Sequence, residues 1–149
     1  MNRIMDEYGK TGQVAWVYRH SPIDQIHPQA AFVAVASECV ADIAGTDAFW
    51  TFTDGYFAAR GAGDQTAHAT LVPQLAVAAG VSATALDACV TDGGFTANVE
   101  ADRTNAIATG GGGTPWSILI GPSGKTYPIN GALPASAVEQ LIAVARAEA

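Results

Sequence analysis

Two cysteines, Cys39 and Cys89, are the residues of this chain best suited to covalent chemistry, and they stand 50 positions apart. A thiolate can attack a disulfide or bind a metal, but both tasks usually show as close spacing. Here there is no C-x-x-C and no Cys/His spacing of the kind zinc requires. Two readings stay open: one disulfide, or two small buried thiols. The histidines His20, His27 and His68 stand singly, and no G-x-S-x-G elbow accompanies them. Each reads as a solvated or packed side chain. His27, in Ile26-His27-Pro28, reads as a capping or packing residue.

Glycine-rich stretches invite a phosphate-binding reading and fail it. In Gly121-Pro122-Ser123-Gly124-Lys125-Thr126 the motif needs a further glycine where Leu119 sits, and its Lys-Thr must open a helix. Tyr127-Pro128-Ile129 follows instead and reads as strand. Gly110 to Gly113 run into Thr114-Pro115 and another strand, so both stretches are turns.

These residues must be positioned by one domain's worth of chain. At 149 residues, with 49% hydrophobic and 14% charged residues, the chain can bury a core without metals or several disulfides. Seven Lys and Arg against fourteen Asp and Glu give a net charge of −7, and the basic residues are scattered. That argues against phosphate-backbone binding and against an anionic membrane surface, so neither nucleic acid nor membrane is an expected partner. No apolar stretch approaches the roughly 20 residues a membrane span needs. The N-terminus MNRIMDEYGK is acidic and lacks an apolar core, so no signal peptide is read there. As written the chain reads as cytoplasmic, or as lacking its natural start.

Met1, Ile4, Met5 and Tyr8 form an i, i+3, i+4, i+7 stripe that stops at Gly9, the last two turns of a helix. Val14 to Tyr18 is β-branched and aromatic and reads as a buried strand. From Pro28 to Ile43 helical spacing predicts a helix closed by Gly45, with Thr46 or Asp47 capping the next. That helix carries Phe49, Trp50, Phe52, Tyr56 and Phe57, whose spacing means core more readily than a peptide-binding face. Residues 60–70 read as a loop, with helices near 72–79, 83–90 and 95–108. Trp116 to Ile120 and Thr126 to Ile129 form a hairpin across Gly121–Gly124. Pro134 then opens a helix with Val138, Leu141, Ile142 and Ala145 on one face.

In this order two stretches resemble the DsbA-like disulfide oxidoreductases of the thioredoxin superfamily. The first is Val14 to Ala30, VAWVYRHSPIDQIHPQA, with its Arg-His-x-Pro turn and Ile-His-Pro. The second is Leu86 to Ile120, where LDACV and Gly-Thr-Pro directly precede WSILI. The resemblance implies an α/β, thioredoxin-like fold: one domain over residues 1–149, with a helical subdomain inserted at about 28–108. It also implies that a central strand and the Cys-x-x-Cys helix start would precede Met1, so the chain reads as N-terminally truncated. Neither Cys39 nor Cys89 matches a catalytic cysteine. The expectation is a redox-inactive relative, with no catalytic residue, metal or cofactor assigned.

What the resemblance leaves is a substrate loop at Thr114 and Pro115, with a cis peptide bond between them that would let backbone pair with an extended peptide. It favours a Cys39–Cys89 disulfide inside the helical subdomain and an extracytoplasmic, periplasmic setting. An unfilled place in the sheet would favour a homo-oligomer or strand exchange.

Overall fold

Between Pro22 and Arg103 the sequence alternates apolar helical stripes with Gly or Ser stops, and the stops become helix boundaries. The computed structural model describes residues Asn2–Glu148; among them lie seven helices and one two-stranded antiparallel sheet, a mixed α/β chain. It separates into two compact units, Pro22–Arg103 and Met1–Ser21 with Thr104–Ala149.

The Pro22–Arg103 unit is helical: it holds α2 (Ala30–Ala44), α3 (Thr46–Gly61), α4 (His68–Ala78), α5 (Ala83–Asp92) and residues 96–103 of α6 (Thr96–Ala108). Helix α2 is apolar nearly all round, so it must be enclosed. It packs against α3, α4 and α5, and Ala36, Cys39 and Val40 have no exposed surface. Phe52 from α3, Val72 and Ala76 from α4, Leu86 from α5 and Val99 from α6 complete the core. The aromatic run thereby divides: Phe49 and Phe52 are buried, while Phe57 is 57% exposed.

The caps differ from expectation in one place. Neither Thr46 nor Asp47 caps α3; both lie inside it. Gly45 alone separates the helices, donating its N–H to Ala41 O at 2.8 Å and accepting from Phe49 N–H at 3.1 Å. Its φ of 85° is open to glycine and strained for other residues, so one glycine ends α2 and starts α3. Farther on, Ser82 Oγ accepts from Ala85 N–H, an ordinary side-chain cap for α5.

The other unit begins with α1 (Asn2–Ile4), which continues as one π-helical turn, Met5–Gly9. Met1, part of the expected stripe, lies outside the described residues; Ile4 is 2% exposed. The π turn closes through Lys10 N–H to Met5 O at 2.9 Å. Helix α7 (Ala135–Ala147) turns Ile142 and Ala145 inward, directly after Pro134, and packs on α1 and β1. Arg3 Nε stands 3.0 Å from Glu139 Oε1 of α7 and donates to Glu7 Oε1 at 3.1 Å. Strands β1 (Trp116–Ile120) and β2 (Thr126–Asn130) form the expected hairpin, its turn closed by Gly124 N–H to Gly121 O at 2.9 Å.

Val14–Tyr18 corrects the sequence reading: it enters no β-ladder among the described residues. Its burial still alternates as in a strand, with Val14, Trp16, Tyr18 and His20 turned inward and Ala15, Val17 and Arg19 outward. Side-chain pattern sets the alternation, but a ladder also needs a neighbour, and neither β1 nor β2 pairs with this segment. No single helix among the described residues is long and apolar enough to cross a membrane.

Candidate functional site

The C-terminal end of α6 sets up the Thr114–Pro115 loop. Gly110, at φ 97°, donates to Ile107 O at 3.0 Å, and Gly111 donates to Ala106 O at 2.8 Å. This is a Schellman ending, which satisfies the carbonyls of Ala106 and Ile107 at the end of the helix. Gly111 has a second constraint: a Cβ there would lie 2.8 Å from Ala106 O and 2.9 Å from the Trp116 ring. The loop therefore folds flat against the first residue of β1. Trp116 Nε1 adds a hydrogen bond to Thr109 Oγ1 at 3.2 Å.

Thr114 and Pro115 are exposed, and the bond between them is cis. Pro115 O accepts from Gly131 N–H at 3.0 Å, so the loop leads without a break into the β1–β2 ladder. At its other end Gly121 N–H donates to Lys125 O at 2.9 Å. Hydrogen-bonded and non-hydrogen-bonded pairs alternate in an antiparallel ladder. These two bonds put Ser117 and Leu119 in hydrogen-bonded pairs and Trp116, Ile118 and Ile120 in the others.

The alternation has two consequences. Trp116, Ile118 and Ile120 aim their N–H and C=O groups away from β2, and no other strand among the described residues pairs with that edge. On β2 the outward-aimed residues are Thr126, Pro128 and Asn130, since Ile118 pairs with Pro128. Proline has no N–H to offer, so the outer edge of β2 is blunted while that of β1 keeps its full set of donors and acceptors.

Cys39 of α2 and Cys89 of α5 are joined within the helical unit, Cα atoms 5.9 Å apart, and no free cysteine remains among the described residues. His27 is exposed in the turn before α2, with its backbone N–H on Ile23 O and its carbonyl accepting from Ala30 N–H. The start of α2 is capped instead by Asp24, whose Oδ1 accepts from Ala31 N–H at 3.2 Å while Oδ2 faces Arg103 Nη1 at 3.4 Å. Sequence reasoning missed that cap because a carboxylate seven residues upstream lies outside the usual spacing. His20 is buried, edge-on to Tyr18 with ring centroids 5.2 Å apart. Burial raises the Tyr18 pKa.

Lys125, the lysine of the phosphate-loop look-alike, is committed elsewhere. Its Nζ and the Tyr127 hydroxyl both donate to Glu148 Oε2 at 2.6 Å, linking β2 to the end of α7. Among the described residues no cluster of His, Cys, Asp or Glu could hold a metal ion. Comparisons of the chain with protein-family models, curated proteins and solved structures found no match.

Proposed function

We propose that this chain is a DsbA-like domain working without thiol chemistry, which holds an extended peptide by strand addition to the open edge of β1 beside Thr114–Pro115. The carrying observation is the alternation along β1: Trp116, Ile118 and Ile120 present main-chain donors and acceptors that no strand among the described residues uses. A two-stranded hairpin is marginal by itself, so a third strand is energetically welcome. The main chain supplies affinity in such an arrangement and the side chains beside it supply selectivity. On this reading β1, β2 and α7 form part of a thioredoxin-like fold, and the helical unit is its insertion.

The reading of a domain without thiol–disulfide exchange rests on its two cysteines. Exchange needs a thiolate that can reach a disulfide sulfur, whereas Cys39 has no exposed surface and is bonded to Cys89. That bond favours an oxidising, extracytoplasmic setting. A second reading rests on Val14–Tyr18: alternating in burial and in no β-ladder among the described residues, it would serve as the added strand for a second copy, giving a homo-oligomer by strand exchange.

Binding of a fluorescent peptide of alternating Val and Thr tests the proposal. The peptide should bind, and N-methylation of alternate amides should abolish binding in one register. Ile118→Pro removes an outward N–H that β2 does not use, so it should eliminate binding while the hairpin stays folded. Equal affinity for the N-methylated peptide, or for Ile118→Pro, would sink the strand-addition reading. Light scattering distinguishes the second reading, which requires a dimer or larger. Insulin reduction should not exceed a control lacking both cysteines.

A further inference from the structure

Strand β2 ends on Asn130, and Gly131 follows it, the one Asn-Gly pair in the sequence. Asn2, Asn98 and Asn105 are followed by Arg3, Val99 and Ala106, and the latter two asparagines lie inside α6. A main-chain nitrogen attacks the preceding asparagine side chain most readily when it belongs to glycine, because no Cβ hinders the approach. Asn130 is exposed, at the end of the ladder and opposite Trp116. Gly131 has a φ of 83°, strained for other residues, so the turn itself requires glycine beside this asparagine.

One hydrogen bond stands against that attack. Gly131 N–H donates to Pro115 O at 3.0 Å, across the end of the β1–β2 ladder. The reaction needs the Gly131 nitrogen without its proton and turned toward Asn130 Cγ. The bond to Pro115 holds that proton, and the extended end of β2 holds the peptide plane the other way. The amide must therefore leave Pro115 first. Openings of this kind, at the end of a short ladder, lie low on the scale of local unfolding.

We propose that Asn130 is a self-modification site gated by the Pro115–Gly131 hydrogen bond. When the bond opens, the Gly131 nitrogen bonds to Asn130 Cγ and the Cγ–Nδ2 bond breaks. Ammonia leaves with the proton that the Gly131 nitrogen gave up, and a cyclic imide remains. Water then opens the imide at one of its two carbonyls. One opening gives aspartate; the other gives isoaspartate, with an added methylene in the main chain. Either product adds a negative charge, and isoaspartate moves Gly131 away from Pro115. The hydrogen bond that hooks the Thr114–Pro115 loop to the end of β2 is then lost.

Peptide mass spectrometry tests the site as the whole chain ages at neutral pH, folded and in urea, while hydrogen exchange reads the Gly131 amide of the folded chain. Asn130 should convert ahead of Asn98 and Asn105 in the folded chain. Folding should slow its conversion by the factor that protects the Gly131 amide, roughly tenfold, the scale of one net hydrogen bond. Asn130→Gln, whose longer side chain closes the ring far more slowly, should show no early mass change. Slowing unequal to the Gly131 protection factor would overturn the gate. Conversion of Asn130 no sooner than of Asn98 and Asn105, or the same early mass change in Asn130→Gln, would overturn the site.

Discussion

Pro128 stands opposite Ile118 in the β1–β2 ladder, at a pair whose N–H positions both face away from the partner strand. Proline is tolerated there because the ladder asks it for no donor. The same placement leaves the outer edge of β2 with a gap at its centre and makes β1 the edge that can accept a strand.

Pro128→Val restores that donor and adds a β-branched residue. We expect the hairpin to persist and self-association to increase, seen as a rising sedimentation coefficient with concentration. A variant that sediments like the parent would mean that Pro128 does not guard the edge.

Gly111 marks the tightest approach in the Thr114–Pro115 loop. Gly111→Ala forces a methyl against the Ala106 carbonyl and the Trp116 ring, a mismatch that costs about 1–3 kcal/mol. Gly112 has open space where a Cβ would go, so Gly112→Ala should stay within about 0.5 kcal/mol of the parent. Urea unfolding of the two variants measures the contrast, and equal midpoints would contradict the packing described here.

The Cys39–Cys89 bond closes a loop of 50 residues. On the chain-entropy view this stabilises by about 4 kcal/mol. Unfolding in denaturant with and without a reductant should show a lower midpoint for the reduced chain. No change in midpoint would assign the stability of the helical unit to its apolar core alone.

Glu148 should titrate below 4.5, because hydrogen bonds from Lys125 and Tyr127 favour its charged form. A depressed acid stabilises above its unfolded pKa, and that contribution disappears as pH falls through the folded value. NMR titration of the Glu148 side chain reads the midpoint directly. Lys125→Met with Tyr127→Phe should raise it, and an unshifted midpoint would mean the pair is not formed in solution.

Local chemistry made most helices legible. Val138, Leu141, Ile142 and Ala145 recur at helical spacing, and α7 turns that face inward because such spacing puts those side chains in one stripe. The hairpin was equally plain, since Gly121–Gly124 separates two apolar runs of matching length. Val14–Tyr18 shows the limit: its alternation was readable, yet the ladder it implied did not form.

Less of the candidate site was visible. The order Gly-Thr-Pro followed by WSILI directed attention to Thr114 and Pro115, and no spacing rule could say which edge of the hairpin stays open. The Asp24 cap and the Pro115–Gly131 hydrogen bond were overlooked because each joins residues that only the packing of separate segments brings together.

The sequence by itself determined the helices, the hairpin and the absence of a Cys-x-x-Cys, because these depend on neighbours within a few positions. Tertiary structure alone decided that Cys39 meets Cys89, that Pro128 pairs with Ile118, and that Gly131 reaches Pro115. Such relationships depend on strand register and on how helices lie against one another. Both are set by the burial of many side chains together, which no single stretch of sequence encodes.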